Sequence, residues 1–425
     1  MKSISKRDKE NIWHPLTQHK RSPEALGIVR AKGSILYDES GREYIDGIAS
    51  WYTAMYGHCN PHIIDKVVHQ MQKLDHVIFT GFTHEPAVKL AEELLKILPK
   101  NQNKLFFSDN GSTATEIGIK MALQYHFNHG KPRNVLLAFE EGFHGDTFGA
   151  MSVSGLSVYN GPFEDFFLDV ERIPIPNSNN IEGILKNLSS LLSENSIAAF
   201  IYEPLVQGAA GMKMYEPAEL DKILSFLKDN RVVLIADEVM TGFGKTGKNF
   251  ASDYTHIKPD IICLSKALTA GLMPMAATSC TLKIFEAFYS DEVGKGFFHG
   301  HTYTANPLAC TAALAGIQLL SSIDIQNNIQ RIISQHKDFQ NRIKSHPKIA
   351  STRQCGVIIA LDLDVPMARY GNLRDKLYQS FMDKGVFLRP LGNTIYILPP
   401  FTISVEELNK IYKTIIEVID QLISK

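Results

Sequence analysis

CLSKALTAG (263–271), read together with the upstream apolar run VVLIADEV (232–239), decides how this chain folds. The residues leading into it, PDIICLS (259–265), have the length and apolar content of a short buried strand. Lys266 therefore leaves the sheet at a strand end, where open α/β sheets gather their functional groups. Asp237 closes its own apolar run in the same way. An ammonium in such surroundings loses hydration, which lowers its pKa and favours the neutral amine that condenses with an aldehyde. A carboxylate beside it can keep a heteroaromatic ring nitrogen protonated. On these two residues alone the plainer alternative, a turn-capping lysine and a helix-capping aspartate, stays open.

Outward from this pair, KLFFS (104–108), NVLLAF (134–139) and IAAFIYEPL (197–205) are further short apolar runs separated by helical stretches. That alternation predicts a mostly parallel sheet covered by helices on both faces. EPAVKLAEELLKIL (85–98) has helical spacing, and ILYDESGREYIDGIAS (35–50) alternates around Ser40-Gly41 as a β-hairpin does. Ile325, Ile329, Ile332 and Ile333 lead into short strands around GVIIALDL (356–363) and TIYILPP (394–400). A terminal helix carries Leu408, Ile411, Ile415 and Ile419 on one side, with Ser404 and Glu407 at capping-box spacing. The expected fold class is α/β. A large domain spans 66–325, and a smaller α+β domain is assembled from both chain ends, 1–65 and 326–425.

Composition sets the partners. The 425 residues are 44% apolar, enough for a large core, and 44 Lys and Arg against 45 Asp and Glu leave no net field for nucleic acid or an anionic membrane. Small molecules are the expected partners. No apolar run reaches the roughly 18 residues that span a bilayer, and MKSISKRDKENIWHP has no apolar leader segment, so a cytoplasmic location is expected. The cysteines show no paired spacing, which fits inert core thiols in a reducing compartment.

Further motifs bear on chemistry. In SDNGSTATEIGIKMA (108–122), Gly111 and Ser112 open a helix, where free N–H groups and the positive dipole end suit a phosphate; an ordinary capping box of Thr113 and Glu116 is the alternative. EEGFHGDTFGAMSVSG (140–155) sets Phe143, His144 and Asp146 among glycines after a strand, so Phe143 either stacks on a flat ring or fills core, with His144 bonded to backbone. HGHTYTANPLAC (299–310) offers polar groups that can reach a phosphate. His299 and His301 lack a third ligand at metal-site spacing, so no metal is expected. Arg389 either clamps a carboxylate or forms a surface ion pair.

Taken together, FFSDNGSTATE, FHGDTFGAMSV, LIADEVMTGFGKTGK, CLSKALTAG and HTYTANPLA resemble the class III aminotransferases, enzymes of fold type I (aspartate aminotransferase-like) that use pyridoxal 5'-phosphate. The resemblance implies a homodimer with active sites at the subunit interface. It also implies that Lys266 is the Schiff-base lysine, that Asp237 binds the ring nitrogen, and that Gly111 and Ser112 bind the phosphate. His301 and Thr302 would reach the phosphate of the neighbouring subunit's cofactor, Val239 would pack on the ring face opposite Phe143, Trp51 and Gly300 would line the substrate pocket, and Arg389 would receive a carboxylate. Within the family, NIWHPLT (11–17), SWY (50–52) and HGDTFGAMSV point to amination of 8-amino-7-oxononanoate, with adenosylmethionine or lysine as donor. Leu16 and Phe143 stand where tyrosines are common, and Lys245 where arginine is common, all three at positions the family uses to meet substrate or donor. Ornithine, 4-aminobutyrate, a polyamine or a β-amino acid are the alternative substrates. An aminomutase and a non-catalytic cofactor carrier are the readings from other classes.

Overall fold

Apolar runs that are buried at every position, such as Ile197–Tyr202, Val233–Asp237 and Ile261–Leu264, form strands that need cover on both faces. The computed structural model, which describes residues 3–157, 160–365 and 371–422, shows how that cover is provided. A seven-stranded sheet runs in the order Gln102–Ser108, Ala276–Thr281, Ile261–Leu264, Val233–Asp237, Ile197–Tyr202, Val135–Phe139, Val170–Ile173. All neighbours pair parallel except Ala276–Thr281, which is antiparallel to both of its partners. Successive side chains divide between two cores. Leu136, Ile235 and Cys263 pack with Ala114, Ile117 and Met121 of the helix Gly111–Asn128. Leu137, Leu234 and Ile262 pack with Leu220, Ile223 and Leu227 of the helix Pro217–Asp229 on the other face. This is the α/β, mostly parallel, doubly covered sheet expected of fold type I.

Two smaller sheets are built from the chain ends. Ile28–Lys32, Ile35–Asp38 and Glu43–Asp46 form antiparallel neighbours, joined in parallel by Val386–Phe387. The expected hairpin is present, with Ile35 opposite Ile45 and Leu36 opposite Tyr44. Ile349–Cys355, Ile358–Leu363 and Thr394–Ile397 make a second antiparallel sheet. The helix Val405–Leu422 begins with the predicted capping box: Glu407 N–H donates to Ser404 Oγ at 3.1 Å, and Ser404 N–H to Glu407 Oε2 at 2.7 Å. All five cysteines are free; Cys59 is exposed rather than in the core. Among the described residues no single helix is long and apolar enough to cross a membrane.

Candidate active site

Parallel pairing of Val233–Asp237 with Ile261–Leu264 sets Asp237 opposite Cys263, so Lys266 turns out of the sheet next to the carboxylate. Lys266 has φ +50 and opens the 3-10 turn Lys266–Thr269; its Nζ lies 5.2 Å from the Tyr52 ring centroid. Burial lowers its pKa, opposed by the negative charges of Asp237 and Glu203, which brings the neutral amine within easier reach. Asp237 is buried, accepts the Val239 N–H through Oδ1 at 3.0 Å, and meets His144 Nδ1 through Oδ2 at 2.7 Å. A carboxylate only accepts, so the His144 proton sits on Nδ1. The expected bond from the His144 ring to backbone is not formed: the main-chain N–H of His144 donates to Ser154 Oγ, and its C=O accepts from Thr115 Oγ1. Its ring goes to Asp237, and its Nε2 is buried without a partner among the described residues.

The features that suit an anion come from backbone. Asn110 caps the helix Gly111–Asn128, accepting the Thr113 N–H at 3.1 Å, so the capping box pairs Asn110 with Thr113 and not Thr113 with Glu116. Glu116 instead accepts the N–H groups of Gly149 (2.7 Å) and Ala150 (3.1 Å). The N–H groups of Gly111 and Ser112, lacking intrahelical acceptors, remain for an anion. Packing here is tight. A Cβ on Gly111 would stand 2.8 Å from Val239 Cγ1, and one on Gly145 (φ +133) would stand 2.8 Å from Ser112 Cα. Asp146 N–H donates to Ser112 Oγ at 3.1 Å, which ties the 142–147 loop to the helix start.

Above Lys266 the chain does something the sequence does not announce. Ala49, Ser50, Trp51 and Tyr52 have φ of 47, 45, 66 and 73, a left-handed turn without a glycine. Such a conformation costs about 1–2 kcal/mol per residue. It brings Trp51 to the Arg389 guanidinium, 4.9 Å from ring centroid to Cζ, and the Tyr52 hydroxyl to that of Tyr396 at 3.0 Å. Glu203, absent from the sequence reading, is buried and accepts the Phe143 N–H through Oε1 and the Gly208 N–H through Oε2, both at 2.9 Å. Burial raises its pKa to about 7, against the pull of His144. Its only sequence signal was its place at the end of IAAFIYEP, a strand-end acid like Asp237.

Other expected residues lie elsewhere. Leu16 sits exposed on a surface turn. Gly300, His301 and Thr302 belong to a segment whose side-chain hydrogen bonds close on itself, on Lys120 and on Asp75. Phe143 is 41% exposed, a ring with an open face, and Val239 lies beneath Gly111. Lys245 is a correction. It is fully buried rather than open to a ligand, its Nζ donates to the Gly242 carbonyl at 2.7 Å, and burial lowers its pKa to about 7, so in this structure its side chain serves the backbone of its own turn. Among the described residues no cluster of His, Cys, Asp and Glu could hold a metal.

A paired lysine and aspartate at adjacent strand ends, above a glycine-opened helix terminus, is the arrangement of a family the sequence also matches: residues 17–419 fit the Aminotransferase class-III model, and the chain belongs to that family. Among its relatives, the adenosylmethionine-8-amino-7-oxononanoate aminotransferase of Synechococcus elongatus is 42% identical, covering 97% of this chain and 99% of that protein. The crystal structure of the enzyme of that name from Methanocaldococcus jannaschii superposes with a TM-score of 0.94 at 34% identity over 99% of both chains. An amine transaminase from an uncultivated Pseudomonas species, solved with pyridoxal 5'-phosphate bound, gives a TM-score of 0.90 at 28% identity, covering 97% of this chain and 98% of that one.

Proposed function

We propose that this chain is a pyridoxal 5'-phosphate-dependent aminotransferase that converts 8-amino-7-oxononanoate to 7,8-diaminononanoate in biotin biosynthesis, with adenosylmethionine as amino donor. The observation that carries the reading is the pairing of Asp237 with Cys263, which brings Lys266 and the His144-bonded Asp237 to the ends of neighbouring inner strands, with Val239, two residues past Asp237, packed under the helix start at Gly111.

The residues fit the cofactor. Asp237 offers a buried acceptor for a protonated ring nitrogen, Gly111 leaves the close approach a phosphate needs, and Lys266 is a lysine whose ammonium is disfavoured. When bound, pyridoxal 5'-phosphate supplies an electron-accepting ring that stabilises negative charge on the carbon bearing the amine. Lys266 Nζ would hold the cofactor's aldehyde end and would serve as the base that takes the proton from the donor's amine-bearing carbon. Asp237 keeps the proton on the ring nitrogen, and His144 fixes the carboxylate by donating to Oδ2. Phe143 and Val239 flank the ring. Arg389 receives the carboxylate of the keto acid, and Trp51, 4.9 Å from it, walls the pocket; Asp146, tied to Ser112 through its N–H, lines the approach from the 142–147 loop.

In a homodimer, Gly300, His301 and Thr302 serve the neighbouring subunit's site. The His301 Nε2, buried without a partner among the described residues, supports that reading. Residues 66–325 form the cofactor-binding domain and the two ends, 1–65 and 326–425, a smaller domain over it, in a cytoplasmic enzyme with no nucleic-acid or membrane partner. The absence of a hydroxyl at Leu16 and Phe143 favours a second reading of the donor, lysine, and of the enzyme, another ω-aminotransferase. A screen holding 8-amino-7-oxononanoate constant and varying adenosylmethionine, lysine, ornithine and alanine tests both, with diamine followed by mass spectrometry. No diamine from any donor, alongside cofactor turnover with ornithine or alanine, would overturn the proposed substrate.

A further inference from the structure

Four successive left-handed residues without a glycine do not persist unless their surroundings hold them. The holding groups are buried directly beneath the turn. Asp46, at the end of the strand Glu43–Asp46, has no exposed surface. Its Oδ1 accepts the Ile48 N–H at 3.2 Å, and its Oδ2 accepts the Ser50 hydroxyl at 2.8 Å and lies 2.8 Å from His58 Nε2. His58 Nε2 is also 3.3 Å from Ser50 Oγ, which closes a triangle. His58 is itself fixed by two backbone hydrogen bonds with Gly33, at 2.7 and 3.0 Å. On its far side the turn runs against the lysine loop: a Cβ on Gly271 would stand 3.1 Å from Ala54 N and from Thr53 C.

We propose that Asp46, His58 and Ser50 are positioning residues that lock the Ala49–Tyr52 turn in its left-handed form, and so set where Trp51 meets Arg389 and where Tyr52 lies over Lys266. This rests on the aminotransferase reading, because the wall being set is that of the carboxylate end of the keto acid. None of the three touches the reacting atoms. With the triangle broken, the turn relaxes toward ordinary backbone, Trp51 leaves Arg389, and the acceptor's carboxylate loses its wall. The lysine and aspartate, carried by the central sheet, stay in place.

The chain has two tryptophans, so Trp13→Phe leaves Trp51 as the sole fluorescent reporter of the turn, whatever the substrate proves to be. In that background, His58→Ala is expected to raise acrylamide quenching of Trp51 and to raise the keto-acid KM by about tenfold while kcat moves much less. The cofactor's visible absorbance is retained. Adding Ser50→Gly, which takes φ of +45 without a Cβ penalty, is expected to bring both quenching and KM back toward the parent. Unchanged quenching in His58→Ala, or a lowered melting temperature with KM untouched, overturns the proposal. If His58→Ala does not fold, Ser50→Ala, which deletes only the hydroxyl, is read by the same two measurements. If the parent fails to aminate 8-amino-7-oxononanoate, the quenching series still decides the positioning role, and only the substrate assignment falls.

Discussion

Replacing Gly145 by alanine tests the phosphate cradle. At φ +133 an L residue pays about 1–3 kcal/mol in backbone strain alone. The new Cβ would also stand 2.8 Å from Ser112 Cα and 2.6 Å from Ser112 Cβ. Ordinary contact begins at 3.4 Å, so the helix start and the loop must separate by at least 3.4 − 2.6 = 0.8 Å. That shift falls on the two amides assigned to the phosphate. Losing one hydrogen bond to a charged group costs about 1.5–3 kcal/mol, roughly 10- to 150-fold in Kd. The assay is titration of cofactor-stripped enzyme with pyridoxal 5'-phosphate, followed by absorbance. Gly130→Ala serves as control: its φ is +69, but nothing lies within 4 Å of the added methyl, so it should bind as wild type. Wild-type affinity in Gly145→Ala would refute the placement of the phosphate at Gly111 and Ser112.

Other predictions address single groups. Lys266→Ala is expected to lose multiple turnover and, after borohydride reduction, to yield no cofactor-labelled peptide covering 266; turnover without added amine would count against its role. Arg389→Ala should raise the keto-acid KM far more than the donor's, and equal effects would remove it from the carboxylate site. Lys245→Met changes the pH dependence of stability. Its folded pKa, about 7, lies below the unfolded 10.5, so the unfolded chain binds the extra proton between those values and wild-type stability rises with pH across that window. The slope contributed is up to about 1.4 kcal/mol per pH unit. The variant should lack it, and identical melting-temperature slopes from pH 7 to 9 would contradict the buried, titrating lysine.

The sheet was legible because its inner strands are apolar throughout, and Lys266 and Asp237 because each ends such a run. Ala276–Thr281 was not: its sequence, AATSCT, is small and polar, and it is buried at all six positions only because it lies between two other strands. Val170–Ile173 reads VERI, an edge strand half in solvent. At the site, the Phe143 and Gly111 motifs carried local signals, whereas Glu203 acts through backbone N–H groups, one of them from Phe143, sixty residues away. The turn at 49–52 has no glycine, asparagine or aspartate to announce positive φ; side-chain hydrogen bonds among Asp46, Ser50 and His58 hold it. Lys245 misled for a related reason. The family pattern implies that it meets substrate or donor, and nothing in TGFGKTGK signals that the fold encloses its side chain.

The parallel pairing of Glu43–Asp46 with Val386–Phe387 has a consequence for biosynthesis. A ribosome finishes all seven strands of the central sheet by residue 281, yet the segment bearing Trp51 lacks its neighbour until residue 387 has emerged. The nascent chain can thus assemble the half that carries Lys266 while the half that carries Arg389 still waits, and a translation product truncated before 386 would have the lysine and Trp51 without the arginine that Trp51 meets.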